Sequence, residues 1–93
     1  MSAPRLIISD SQLDIILFRG SREEHHNLYN YTIFVCRTDE DFPVDGELDE
    51  DGYMYYIFAT NGAKHLYIYL TPDEAEIIVD IIYEQTGKNV CDY

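Results

Sequence analysis

Residues 53 to 70 read "YMYYIFATNGAKHLYIYL", two runs of aromatic and β-branched residues separated by Asn61-Gly62. That dipeptide between two such runs predicts a β-hairpin with Asn61 and Gly62 in a two-residue turn. Counting outward from the turn sets Phe58 opposite His65, Ile57 opposite Leu66, Tyr56 opposite Tyr67 and Tyr55 opposite Ile68. Side chains alternate across a strand. One face therefore carries Tyr53, Tyr55, Ile57, Leu66, Ile68 and Leu70, and the other Met54, Tyr56, Phe58, His65, Tyr67 and Tyr69. Both faces are largely apolar, whereas a sheet with one wet face alternates apolar with polar. The second face calls for a cover, from this chain or from another.

Directly after the hairpin, "LTPDEAEIIVDIIYEQTGK" (residues 70 to 88) predicts a helix. Thr71 stands at the N-cap, Pro72 at the first helical position and Glu74 where a capping box needs a carboxylate, and Gly87 is the natural stop. Ala75, Ile78, Val79 and Ile82, with Ile77 and Ile81 beside them, form the stripe that packs on the sheet. Asp73, Glu76, Asp80 and Glu84 run along another side.

Upstream, "LYNYTIFVC" (28 to 36) predicts a strand from its Tyr, Thr, Ile and Val content. The segment "SDSQLDIILFRG" (9 to 20) fits two structures. Ser9 with Gln12 resembles a capping box and Leu13, Ile16 and Leu17 have helical spacing, although "DIILF" would also serve as a strand. A short helix is the reading taken. The polar stretch "RGSREEHHN" (19 to 27) is read as a surface loop. The expected fold is thus α+β: a small, mainly antiparallel sheet of three to four strands with the C-terminal helix on one face, in a single domain spanning residues 1 to 93.

The chain has 18 Asp and Glu against 6 Lys and Arg, a formal net charge of −12, yet 46% of its residues are hydrophobic. That is a folded composition carrying a strongly anionic surface. Asp39, Glu40, Asp41, Asp45, Glu47, Asp49, Glu50 and Asp51 crowd into the link between two strands. On the helix, Glu76, Asp80 and Glu84 recur every fourth residue, about 6 Å apart along the axis. Like charges at that spacing repel. Direct binding to nucleic acid or to an anionic membrane is disfavoured, because phosphates are held by Lys and Arg. No stretch reaches the roughly 20 apolar residues of a membrane span or the apolar core of a secretory signal, so a cytoplasmic location is expected.

The remaining chemistry is sparse. Glu47, Asp49, Asp51 and Gly52 imitate the start of a calcium loop, but the twelfth position falls on Phe58 and a strand follows where a helix belongs. His25, His26 and His65 with Cys36 and Cys91 lack the spacing of a zinc site, and no metal or other cofactor is expected. Two reduced thiols fit a cytosolic chain. There is no phosphate loop, no nucleophile elbow and no catalytic triad, so no catalytic residue is assigned and the chain is not expected to be an enzyme.

What the charge does fit is a cationic partner. A duplex carries one phosphate per roughly 3.4 Å along each strand, and a carboxylate row plus an acidic loop offers a comparable ridge. The partner expected is a basic nucleic-acid-binding protein or complex. Glu76, Asp80, Glu84 and the acidic loop would occupy its phosphate-binding groove, with Tyr56, Tyr67 and Tyr69 as apolar anchors. In size and charge the whole chain resembles the small acidic inhibitors encoded by phages and other mobile elements, among them anti-CRISPR and anti-restriction proteins and uracil-DNA glycosylase inhibitors. The resemblance lies in composition and assigns no residue. It implies stoichiometric inhibition of a defence or DNA-processing protein. An immunity protein against a basic toxin, and a homodimer or adaptor using the aromatic face, are the other readings.

Overall fold

The computed structural model describes residues 3–38 and 53–93. They form six strands and one helix in the order β1 (Arg5–Ser9), β2 (Gln12–Arg19), β3 (Arg22–Asn27), β4 (Thr32–Arg37), β5 (Tyr55–Thr60), β6 (His65–Leu70) and α1 (Pro72–Thr86). The class is α+β, as expected. The strands make two antiparallel three-stranded sheets, β1-β2-β3 and β4-β5-β6, rather than one sheet of three to four strands.

The difference arises in the first 27 residues, where neither the short helix nor the polar loop forms. Residues 12 to 19 are a strand paired on both sides, Ile15 to Leu6 of β1 and to His26 of β3. Ile15 and Leu17 turn to the core with no exposure, and Ile16 on the opposite side is 6% exposed. A strand covered on both faces loses its alternation, which is why its apolar run imitates a helix. The polar stretch "REEHHN" is an edge strand, held by main-chain pairing that asks little of its side chains. Gly20, at φ 64°, supplies the positive φ of the tight turn between β2 and β3.

The hairpin forms, but with a longer turn. Asn61 Oδ1 accepts from the N–H groups of Ala63 and Lys64, at 3.1 and 2.9 Å, and Gly62 takes the left-handed φ of 91°. The loop therefore spans residues 61 to 64, and Thr60 faces His65, Phe58 faces Tyr67 and Tyr56 faces Tyr69. The slip from the expected pairing is two residues. Because side chains alternate with period two, every residue stays on its expected face.

Strand β4 begins at Thr32, later than expected, because Leu28 to Tyr31 make a turn with Asn30 at φ 71°. Its far edge receives the C-terminal segment. Val35 N–H donates to Val90 O at 2.7 Å and Asp92 N–H to Val35 O at 2.8 Å. The helix matches its sequence signals: Thr71 and Glu74 close the capping box, and Gly87 ends the helix at φ 74°. Ala75, Ile78 and Ile82 join Ile57, Ile68 and Leu70 of the second sheet and Ile15 and Leu17 of the first in one core. The first sheet and the helix thus share the inner face of β4-β5-β6.

Candidate functional site

The helix sends Ala75, Ile78 and Ile82 inward, so its 3.6-residue period carries Glu76, Asp80 and Glu84 to the solvent side, where all three are exposed. Asp73 is exposed beside them and Tyr83, 60% exposed, lies within the same surface. Caps at both ends satisfy the terminal main-chain groups of this helix. The charge of the row works against the helix, since the last turn carries Glu84 and no basic residue where the helix dipole favours a cation. Asp39, Glu40, Asp41, Asp45, Glu47, Asp49, Glu50 and Asp51 lie outside the described residues.

A second surface lies on the other side of β4-β5-β6. Phe34, Tyr56, Phe58, His65, Tyr67 and Tyr69 alternate away from the core and carry no acidic group among them. Their rings form a continuous patch: Tyr56 is 5.9 Å from Tyr67 and 6.2 Å from Tyr69, and Phe58 is 5.3 Å from Tyr67, centroid to centroid. Tyr67 is 55% and Phe34 40% exposed. The structure brings Tyr56, Tyr67 and Tyr69 together and keeps Glu76, Asp80 and Glu84 together, but the sheet stands between the two groups. One flat partner surface cannot touch both. The N-terminal sheet packs on the inner face and does not supply the cover that this outer face called for.

The aromatic patch is chemically quiet. Burial raises the Tyr56 hydroxyl above its usual range, and Cys36 adds to the effect. Cys36 is itself pushed up by burial, partly opposed by a hydrogen bond from Tyr56, and Asp92 raises it further. A thiol so placed is protonated at neutral pH and is a poor nucleophile. Both cysteines are free. Among the described residues no three His, Cys, Asp or Glu side chains come together as a metal site. No described helix is long and apolar enough to cross a membrane.

The third feature joins the two sheets. Arg19, at the end of β2, donates to the Glu74 carboxylate and, at 2.7 Å, to Tyr69 O, with Glu24 3.6 Å from its Nε and the Tyr53 ring 4.8 Å away. Beside it a cavity of about 330 Å³ is lined by Arg22, Glu24 and His26 of β3 and by Tyr67, Ile68 and Tyr69 of β6. In the sequence Arg19 and Arg22 fall in a polar stretch with the pattern of a surface loop. No local signal could have linked them to residues 67 to 74. A larger cleft of about 370 Å³ has an apolar floor that includes Leu13, Leu28 and Ile82 and a rim that includes Asp10, Gln12 and Lys88.

His26 Nε2 is buried in this region without a hydrogen-bond partner among the described residues. Burial lowers its pKa from the ordinary 6.5, Glu24 opposes the shift, and Arg19 and His25 reinforce it. A group held neutral in the folded state stabilises the fold fully above pH 6.5 and loses that contribution as pH falls from 6.5 through the lowered value. The melting temperature of the wild type is expected to drop more steeply between pH 6.5 and 5 than that of His26→Gln. Parallel curves would remove His26 as the cause. No protein-family model, curated protein or solved structure matches the chain, so its own surface chemistry is the guide to what it does.

Proposed function

We propose that the protein is a stoichiometric inhibitor that imitates nucleic acid, its acidic ridge filling the phosphate-binding groove of a basic target in the cytoplasm, such as a host defence complex. One observation carries the reading: Glu76, Asp80 and Glu84 are exposed in a row on a doubly capped helix that their charge destabilises. Solubility does not need the carboxylates to stand in a row. Asp39, Glu40, Asp41, Asp45, Glu47, Asp49, Glu50 and Asp51 belong to the same proposal as a second anionic contact, and the net charge of −12 would speed encounter with a cationic groove. Tyr56, Tyr67 and Tyr69, on the far side of the sheet, would serve a separate contact rather than anchor this one.

The test begins with partners captured at low and high salt and asks whether duplex DNA competes for them. The triple variant Glu76→Gln, Asp80→Asn, Glu84→Gln is expected to weaken binding about thirtyfold at low salt, from roughly 0.7 kcal/mol for each lost ion pair. It should also flatten the salt dependence. A captured partner whose affinity is unchanged by the triple variant, and which DNA does not displace, would end the proposal. The exposed, uncharged aromatic patch favours a second reading, a protein-interaction adaptor or homodimer. In that case Tyr67→Ala would abolish binding and the triple variant would leave it intact.

A further inference from the structure

Edge strands of natural sheets are normally guarded by a lysine, a proline or a bulge, and β6 has none of these: its sequence is "HLYIYL" and its pairing with β5 is unbroken. The turn bond from Asn61 N–H to Lys64 O sets the alternation of the ladder. It follows that His65, Tyr67 and Tyr69 direct their main-chain N–H and C=O groups away from β5. The bond that Tyr69 O accepts from Arg19 agrees with that phase. Apart from it, these outward groups have no main-chain partner among the described residues.

The cavity beside this edge holds two more unmatched groups. Arg22 is exposed and forms no ion pair among the described residues, whereas Arg19 is satisfied by Glu74 and Glu24. His26 Nε2 is the second. Three of the six basic side chains in this acidic chain, Arg19, Arg22 and Lys64, flank the strand. Arg19 is balanced by Glu74 and Glu24, so Arg22 is the cation of the cavity left without a carboxylate partner among the described residues. At physiological salt the screening length is about 8 Å, so a ligand on this edge feels Arg22 more than the distant helix ridge.

We propose that the β6 edge and Arg22 together form a docking site for an extended peptide segment of a partner protein bearing a carboxylate. The segment adds a strand to β4-β5-β6 through the main chain of His65 and Tyr67, and its carboxylate pairs with Arg22. This site is distinct from the helix ridge and has the opposite charge preference, so the two can fail independently. A second copy of the chain is disfavoured as occupant, because it would bring another net charge of −12 and no acidic residue in β6 to meet Arg22.

The probe is acetyl-Thr-Val-Thr-Val-Glu-amide added to the full chain and followed by amide chemical shifts and hydrogen exchange. The expected result is perturbation and slowed exchange at His65 and Tyr67. A Lys-for-Glu peptide and a peptide N-methylated at alternate residues should each bind at least about tenfold more weakly, the scale of one charge-assisted hydrogen bond. Arg22→Gln should abolish the preference for Glu over Lys. Tyr67→Pro removes an outward N–H and no bond of the β5 ladder, so it should fold and lose the peptide; should it not fold, Arg22→Gln and the N-methylated peptide decide. Equal binding of all three peptides, edge amides already protected in the free monomer, or a dimer forming through this edge would each overturn the proposal.

Discussion

Arg19→Met is expected to lower unfolding free energy by about 3 kcal/mol in urea titration, the scale of breaking a buried pair from one side. The Arg19 side chain is 13% and the Glu74 side chain 10% exposed, so the carboxylate left behind stays largely out of water. Methionine keeps much of the apolar stem and removes the cation. Glu74 also accepts from Thr71 N–H at 2.9 Å to close the capping box, and Arg19 donates to Tyr69 O at 2.7 Å. Loss of Arg19 therefore loosens the start of α1 and the junction between the sheets together. Combining Arg19→Met with Glu74→Gln should recover a substantial part of the loss, because no charge is stranded and the glutamine can still accept from the cap. If Arg19→Met unfolds within about 1 kcal/mol of wild type, the pair is not the clasp between the sheets.

Removing residues 89 to 93 should also cost about 3 kcal/mol. Val90 is 7% exposed, and burial of such a side chain contributes roughly 2 kcal/mol. The main-chain bonds linking Val35 to Val90 and Asp92 go with it, and so does the Tyr55–Tyr93 ring contact at 4.7 Å. A second effect separates this from a simple core mutation. Without the segment, β4 presents an open edge, and unpaired edges recruit other chains. The truncated protein should associate more than the full chain at the same concentration, by sedimentation, while Val90→Ala keeps the main-chain bonds and sediments like the full chain at a smaller stability loss. A truncated chain as stable and as dispersed as the full one would show that β4 needs no cover.

The contrast between α1 and β2 shows what was legible in the sequence. The helix could be bounded because its signals are local: Thr71, Glu74 and Gly87 satisfy main-chain groups within a few residues of themselves. The acidic row followed from the same period, since burying Ala75, Ile78 and Ile82 leaves Glu76, Asp80 and Glu84 outside. For residues 12 to 19 the local pattern supported either structure, and β1 and β3, strands recognisable only once paired, made the choice. The cavity beside Arg22 was out of reach because its walls come from residues more than forty positions apart.

By itself the sequence determined the anionic balance, the helix with its caps and exposed carboxylates, and the faces of β5 and β6, since an even slip in register leaves alternation intact. Only the tertiary structure decided that residues 5 to 27 form a sheet, that the hairpin loop has four residues, that the C-terminal segment shields β4 and that the acidic ridge and aromatic patch face opposite ways. The reason is the range of the forces involved. Caps and helical periods are settled within a turn or two of chain, whereas a strand acquires its hydrogen bonds, and a surface its neighbours, from segments the local sequence does not contain.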